Sequence, residues 1–275
     1  MVPDAFAFAP WVLAALLGLV VGSFLNVVIH RLPLMLERAW QARHDAPETP
    51  STHFNLALPA SHCPHCAHPL HWYDNIPVLS YLVLRGQCRH CQAPIHWQYP
   101  AVELITAGLF VWSLGSYGLT GQALAWAGFA ATLLALAVID ARTTLLPDAL
   151  TQPLTWGGLL AAFMGYSGVP LPDALWGAVG GYLFLWSVYW LFRLVTGQEG
   201  MGQGDFKLLA ALGAWFGWQA LIGLILTASL SGLVIGLWLK WRQRLPAGGY
   251  IPFGPFLALA GVVQMVWGTP IWLTL

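Results

Sequence analysis

Long apolar blocks alternate with short polar connections along most of this chain. A helix that crosses a membrane needs about 17 to 25 predominantly apolar residues, and eight segments of the chain are candidates for such helices. They are Trp11–Ile29, Ala101–Tyr117, Ala123–Asp140, Ala149–Tyr166, Ala174–Val195, Phe206–Trp218, Gln219–Lys240 and Phe253–Leu273. The pattern predicts an all-α polytopic membrane protein with about eight transmembrane helices.

The sixth and seventh segments form one continuous apolar run. A single helix over Phe206–Lys240 would be ~52 Å long, which exceeds a hydrocarbon core of ~30 Å. The pattern therefore predicts a break near Gly217.

One segment, His30–Pro100, is polar and rich in turn residues. It holds all nine histidines and all four cysteines of the chain. The change in composition divides the chain into a first transmembrane helix (1–29), a small cytoplasmic zinc-ribbon-like module (30–100) and a membrane domain of about seven helices (101–275).

Composition and charge agree with a membrane protein. Hydrophobic residues make up 58% of the 275 positions and charged residues 8%, which excludes an ordinary soluble globule. Met1–Pro10 has no basic segment, so we expect the first helix to be retained rather than cleaved as a signal peptide. The formal net charge of zero gives no indication of nucleic-acid binding.

The basic residues predict the orientation of the helices. With the N-terminus outside, all of them fall on or near cytoplasmic loops, as the excess of Lys and Arg on that side requires. They are Arg31, Arg38, Arg43, Arg85, Arg89, Arg142, Arg193, Lys207, Lys240, Arg242 and Arg244. If the sixth and seventh segments formed one helix, Lys240, Arg242 and Arg244 would lie outside. The charge distribution therefore also favours a break near Gly217.

The four cysteines form two Cys-x-x-Cys pairs, Cys63 with Cys66 and Cys88 with Cys91, separated by 21 residues. This spacing is typical of a zinc ribbon, in which four thiolates enclose one ion tetrahedrally. Two disulfides are the alternative, although a cytoplasmic location disfavours them. A closed site of four sulfurs has no open position for water, so its role would be to stabilise the module.

Two acids near the membrane have ordinary structural explanations. Asp148 follows Pro147 and precedes an apolar run, which favours a helix-capping role. Glu103 lies one turn into the second predicted helix, where it would reach the cytoplasmic interface or pair with a basic group. For Asp148 capping is favoured over a functional role, which stays the alternative, and no role is assigned to Glu103.

Asp140 and Asp205 are the candidate catalytic residues. Asp140 ends the third predicted helix and Asp205 opens the sixth, so both lie at the same cytoplasmic depth. A cap is a poor explanation for Asp140, because an acid at a helix C-terminus gains nothing from the helix dipole. For Asp205 an N-cap role remains an alternative, but Gly202 and Gly204 allow a positive φ or a close approach of another chain. Two carboxyl groups within reach of each other share a proton, which is the chemistry of an aspartic protease.

Seven stretches of the chain together resemble the bacterial type IV prepilin peptidases, a family of membrane aspartic proteases with a Gly-x-Gly-Asp motif. In chain order they are "GSFLNVVIHRLP" (22–33), the pair "CPHC" and "CRHC", "NIPVLSYL" (75–82), "YPAVEL" (99–104), "IDARTTLLPD" (139–148), "EGMGQGDFKLLA" (199–210) and "IPFGPFLALAG" (251–261). They extend over nearly the whole length of the chain.

The resemblance implies that Asp140 and Asp205 are the catalytic aspartates and that Cys63, Cys66, Cys88 and Cys91 bind zinc. It also implies an inner-membrane enzyme, with a periplasmic N-terminus, that cleaves the leader of type IV prepilins and type II secretion pseudopilins after a glycine on the cytoplasmic side. A methyl group from S-adenosylmethionine would then be transferred to the new N-terminus. The chain has no soluble-type nucleotide fingerprint, so we expect the unassigned donor site in the 30–100 module and the adjoining helix ends.

Two other classes of protein share some of these features. A proton-coupled transporter would also carry acids near its helices, although more often at the bilayer midplane and without a zinc module. A zinc-bearing scaffold for a secretion machine would not depend on Asp140 or Asp205.

Overall fold

The structure, a computed structural model, describes residues 5–44, 54–198, 200–243 and 251–268. Within these ranges the chain forms α-helices joined by turns, and it forms no strand. The helices are α1 (Ala5–His44), α2 (Leu79–Val83), α3 (Gln98–Tyr117), α4 (Gly121–Thr143), α5 (Asp148–Phe163), α6 (Leu171–Thr196), α7 (Gln203–Phe216), α8 (Leu221–Trp241) and α9 (Gly254–Trp267). The all-helical fold predicted from the apolar blocks is confirmed.

Each of the eight predicted apolar segments lies on a helix of its own, α1 or one of α3 to α9. Among the described residues, four helical segments are both long and apolar enough to cross a membrane. These are Phe8–Ala42, Gly121–Thr143, Leu171–Thr196 and Trp218–Trp241. The predicted end of the last segment, at Leu273, lies outside the described residues.

The predicted break near Gly217 is confirmed. Helix α7 ends at Phe216, and Gly217 has a φ of +79°, which favours a residue without a side chain. A short 3₁₀ turn, Trp218–Ala220, then leads into α8. The apolar run therefore forms two helices.

The first helix is longer than its apolar core. It continues past Ile29 to His44, so residues 30–44, predicted to begin the polar module, are helical. The segment LPLMLERAWQAR consists largely of strong helix formers, which explains why the helix outlasts the apolar run.

The chain divides into two compact units, residues 1–131 and 132–275. In the first unit, α1 packs along α3 through two glycines. A Cβ added to Gly18 would lie 2.6 Å from Ala107 Cα, and one added to Gly22 would lie 2.6 Å from Glu103 Cα. Small residues at these positions allow the two backbones to approach closely, as at many helix contacts in membranes.

In the second unit, α7 is the central helix and is packed by α5, α6 and α9. Gly177 on α6 directly faces the backbone of Gly213 on α7. On the α5 side, the Trp215 indole donates a hydrogen bond to the Leu154 carbonyl at 2.9 Å. These contacts bury α7 along its length and fix the position of Asp205 near its start.

Candidate active site and metal centre

The second unit brings Asp140 and Asp205 into one buried region. Asp140 lies in the last turn of α4 and is 4% exposed, whereas Asp205 is the third residue of α7 and is 3% exposed. Both lie near Leu146, because Cβ atoms added to Gly204, next to Asp205, and to Gly254, which contacts Asp140, would lie 2.6 Å and 3.2 Å from its side chain. The structure thus places together the two acids that the sequence identified as catalytic candidates.

The start of α9 holds the Asp140 carboxyl group. The backbone N–H of Gly254 donates a hydrogen bond to Asp140 Oδ2 at 2.9 Å. A Cβ added to Gly254 would lie 2.5 Å from the same oxygen, so a side chain at this position would collide with the carboxyl group. The glycine of the "IPFGPF" stretch is therefore required by its contact with Asp140, which the sequence alone did not reveal.

Glycines before Asp205 allow close packing rather than an unusual backbone. Gly202 has a φ of −76°, and Gly204 is not among the residues with positive φ, so the prediction of a left-handed conformation is wrong. Gly204 instead allows close packing within this chain, because a Cβ there would lie 2.6 Å from Leu146 Cβ, and the close approach of another chain stays a prediction. Leu146 also borders Gly254, where an added Cβ would lie 3.2 Å from Leu146 Cδ1. Leu146 thus lies beside both Gly204, which precedes Asp205 in the sequence, and Gly254, whose N–H binds Asp140.

The N-cap alternative for Asp205 is not supported. The N-cap of α7 is Gly202, so Asp205 is not the N-cap residue of this helix. Among the described residues, Asp205 Oδ1 is buried without a hydrogen-bond partner. A buried carboxyl oxygen is costly to leave without a partner, so this atom is available to a substrate or a water molecule.

Asp148 has a different role from the predicted cap. It is the first residue of α5, and its side chain makes no capping hydrogen bond because the N-cap position is occupied by Pro147. Its carboxylate instead accepts two hydrogen bonds from Lys207 Nζ. The capping interpretation is therefore wrong, and Asp148 forms an ion pair with α7.

Glu103 does not pair with a basic group among the described residues, and its expected position at the membrane interface stays a prediction. It is buried on α3, and Oε2 accepts a hydrogen bond of 2.7 Å from the backbone N–H of Val78. The Ser23 side chain is a second partner. Glu103 thus joins the polar module to α1 and α3, and its apolar sequence surroundings did not indicate this contact.

Two further polar residues on α1 hold the same module. Asn26 Nδ2 donates to the Tyr99 carbonyl at 3.0 Å. The buried Arg31 side chain donates to the carbonyls of Asn55 at 3.1 Å and Pro59 at 2.8 Å. Their signal in the sequence was the presence of an amide and a guanidinium in the otherwise apolar "GSFLNVVIHRLP" stretch.

The two Cys-x-x-Cys pairs form two loops with the same hydrogen bonds, which we call the first knuckle (residues 62–69) and the second knuckle (87–94). The N–H of Cys63 donates to the His68 carbonyl at 3.0 Å, and the N–H of Cys88 donates to the Ala93 carbonyl at 2.8 Å. Each knuckle is closed by one antiparallel bridge to a proline, Pro69 or Pro94. The repeated geometry presents two thiols from each loop to a common point.

The arrangement of the thiols fits a tetrahedral metal ion. All four are free, and their sulfur atoms lie within 4.8 Å of one another. The Sγ atoms of Cys63 and Cys91 are 3.8 Å apart, too far for a disulfide but close to the ~3.8 Å that Zn–S bonds of ~2.3 Å give in a tetrahedron. The disulfide alternative is therefore not supported by this geometry.

Ionisation of the thiols is uneven. The backbone N–H of Cys66 lowers the pKa of Cys63 to about 6, and burial only partly opposes this effect. For Cys91 the backbone N–H of Ala93 lowers the pKa, but burial and the neighbouring sulfur atoms outweigh it and raise the pKa to about 11. Four crowded thiols do not all ionise easily by themselves, whereas a bound cation stabilises every thiolate.

Comparison with known proteins gives a consistent result over most of the chain. Residues 16–117 match the bacterial peptidase A24 N-terminal domain, and residues 127–237 match the type IV leader peptidase family. No solved structure gives a significant match.

Several relatives, each named prepilin leader peptidase/N-methyltransferase, resemble the chain over most of its length. The relative from Burkholderia pseudomallei (strain 1026b) is 48% identical over 95% of this chain and 87% of its own. The one from Stutzerimonas stutzeri is 52% identical over 94% and 91%, and the one from Aeromonas hydrophila is 51% identical over 95% and 93%. Because identity at this level extends over nearly the full length of both sequences, the chain belongs to the type IV leader peptidase family.

Proposed function

We propose that this protein is a membrane aspartic endopeptidase that removes the leader peptide of type IV prepilins and type II secretion pseudopilins and then N-methylates the new N-terminus. Membership of the leader peptidase family supports both activities, because the relatives are named for both. The observation that carries the proposal is a pair of buried carboxyl groups. Asp140 lies in the last turn of α4, and Asp205 lies in the first turn of α7.

In peptide hydrolysis at such a pair, one carboxyl group is ionised and acts as a base, whereas the other is protonated and acts as an acid. One carboxylate takes a proton from the attacking water, and the protonated partner donates its proton to the scissile carbonyl oxygen. When the C–N bond breaks, the proton taken from water passes to the leaving amine, and the partner recovers its proton as the new carboxyl carbonyl forms. The amide of Gly254 orients Asp140 through Oδ2, and Asp205 Oδ1 has no hydrogen-bond partner among the described residues. Asp140 is thus held in place, and Asp205 keeps an oxygen that can bind a substrate or a water molecule.

Gly202 leaves room for the substrate backbone beside Asp205. A Cβ at Gly202 would lie 3.7 Å from Asp205 Oδ2, so a larger side chain would begin to fill this approach to the carboxyl group. An extended peptide chain needs such an approach, and the leader sequence itself would present a glycine at the cleaved bond.

The four cysteines would hold one structural zinc ion. Their sulfur geometry fits zinc, and a closed set of four thiolates supplies folding free energy rather than an activated water. S-adenosylmethionine would supply the electrophilic methyl group for the second reaction. This chain's part in that step is to hold the substrate amine in line with the donor, and we expect the 30–100 module and the adjoining helix ends to do so.

We further propose eight membrane crossings in a bacterial inner membrane, with a periplasmic N-terminus and an active site that faces the cytoplasm. The one-sided distribution of Lys and Arg supports this orientation. The functional division would then be a first helix (1–29), a zinc module (30–100) and a protease domain (101–275).

The proton-coupled transporter and the secretion scaffold are not favoured. The chain matches the type IV leader peptidase family over residues 127–237, which include Asp140 and Asp205. Lipid bilayer and pilin-like proteins are therefore the proposed partners, and no nucleic acid is expected.

Incubation of the purified protein with a synthetic prepilin leader peptide tests the proposal. We expect cleavage after the glycine and, when S-adenosylmethionine is added, methylation of the new N-terminal residue. An intact peptide after incubation with folded protein would contradict the peptidase assignment, and uptake of a solute into vesicles without cleavage would favour a transporter.

A further inference from the structure

Three histidines of the polar module meet beside the cysteines. His68 belongs to the first knuckle, His90 to the second, and His71 follows the first knuckle by two residues. Each offers one ring nitrogen, and these three nitrogens lie within 4.8 Å of one another. The rings of His68 and His90 are in direct contact, with centroids 3.4 Å apart.

Neighbouring contacts hold His71 against the second knuckle. Arg89, next to His90, forms an ion pair with Asp74 at 2.8 Å, and its guanidinium lies 5.2 Å from the centre of the Tyr73 ring. The Tyr73 ring in turn stacks on His71, with centroids 5.0 Å apart and planes 17° apart. The position of the third imidazole is therefore set by packing and by charge.

We propose that His68, His71 and His90 form a second metal site, separate from the four cysteines, that binds a divalent transition-metal ion such as zinc. Three imidazoles and a water molecule are a common ligand set for zinc, and imidazole also suits nickel, cobalt and copper. Zn–N bonds of ~2.0–2.1 Å place the nitrogens of a tetrahedral site about 3.3 Å apart. The three nitrogens lie within 4.8 Å of one another, and the side chains of His71 and His90 are exposed.

The two sites differ in chemistry and in accessibility. The cysteine site is closed, half of its ligands are buried, and its thiolates prefer soft ions. The histidine site is more exposed and has only three protein ligands, so its ion exchanges with the solution and keeps an open coordination position. A metal at this site would tie the two knuckles together a second time.

The chain contains a matched control for His90. His65 and His90 each lie two residues after the first cysteine of their Cys-x-x-Cys pair, and both are exposed. His65 is not part of the three-histidine group. The change His65→Gln therefore alters the equivalent position of the other knuckle without removing a proposed ligand.

The experiment counts the zinc ions bound by the full-length protein in detergent, by elemental analysis after equilibration with free zinc buffered at a fixed micromolar concentration. We expect two ions per chain for the unchanged protein and for His65→Gln, and one ion for His71→Gln and for His90→Gln. The zinc ion that stays bound to the four cysteines in these two variants also shows that the knuckles are folded. Cobalt(II) identifies the ligands of each site, because only cobalt bound by cysteine gives thiolate-to-metal charge-transfer absorption.

One zinc ion in the unchanged protein would overturn the proposal, as would a loss of zinc in His65→Gln equal to that in His90→Gln. Two ions retained by His71→Gln would exclude it as a ligand and overturn the three-histidine site. Charge-transfer absorption that grows with the second equivalent of cobalt would assign both ions to the cysteines and would likewise overturn the histidine site. The metal count does not depend on peptide cleavage, so its outcome is independent of the proposed enzyme activity.

Discussion

Lys207 on α7 and Asp148 on α5 form a two-pronged ion pair, with Nζ 2.6 Å from one carboxylate oxygen and 2.8 Å from the other. Lys207 lies two residues after Asp205, so the pair joins the start of α5 to the helix turn that carries a catalytic candidate. Both side chains are partly exposed, 33% for Lys207 and 53% for Asp148. Water therefore screens their attraction.

We predict that the Asp148→Asn change reduces leader-peptide cleavage by less than ~tenfold, which corresponds to ~1.4 kcal/mol. An exposed ion pair contributes at most ~1 kcal/mol to stability. A double-mutant cycle with Lys207→Gln, read out by denaturation in detergent, measures the coupling energy. Complete loss of cleavage in a folded Asp148→Asn protein would mean that the wrong acid of the "IDARTTLLPD" stretch was assigned to catalysis.

The proposed catalytic pair, Asp140 and Asp205, should tolerate no such change. We predict that Asp140→Asn or Asp205→Asn lowers cleavage by at least ~100-fold, because an amide cannot exchange protons as general acid–base catalysis requires. Cleavage of a leader peptide is measured beside a check that the variant inserts and folds. Near-normal cleavage by either variant would disprove the proposed mechanism.

Gly254 should be sensitive to a single added methyl group. In Gly254→Ala the backbone N–H remains, but the new Cβ would lie 2.5 Å from Asp140 Oδ2, so the carboxyl group must move. We expect a loss of cleavage of at least ~tenfold, since small displacements of catalytic groups are costly. The matched control is Gly128→Ala on α4, where an added Cβ meets nothing within 4 Å. Equal activity in the two variants would contradict the structural reason given for this glycine.

Cleavage and methylation should be separable. Asp205→Asn is expected to methylate a peptide supplied already cleaved, because proton exchange at Asp205 has no part in transferring a methyl group to a free amine. Replacement of Cys63 and Cys66 by Ser removes half of the zinc ligands, and we expect it to reduce methylation more than cleavage through unfolding of the module.

Incorporation of labelled methyl groups into pre-cleaved peptide, beside a cleavage assay on the same preparations, measures both activities. Equal loss of the two reactions in a folded Asp205→Asn protein would indicate one shared site.

Topology can be measured with reporter fusions. We predict that reporters after Tyr117, Tyr166 and Leu275 lie outside and that reporters after Gln87 and Thr196 lie inside, because basic residues remain on the cytoplasmic side. An inside location for Leu275 would exclude the count of eight crossings, although the two helices on either side of Gly217 would remain.

The sequence by itself indicated where the apolar helices lie and which residues are candidates for catalysis and metal binding. Apolar runs form helices because a membrane offers no partner for backbone N–H and C=O groups outside the helix, and Gly217 ends one of them because its φ is positive. Both aspartates and all four cysteines were identified from residue type, spacing and charge. Each of these features depends on neighbours along the chain.

Tertiary structure alone decided which distant groups meet. Gly254 and Asp140 are 114 residues apart, and Lys207 and Asp148 are 59 apart. No local pattern encodes such pairs, because a hydrogen bond forms only where helix packing brings donor and acceptor within about 3 Å. For the same reason Asp148 looked like a cap until the packing of α5 and α7 placed Lys207 beside it.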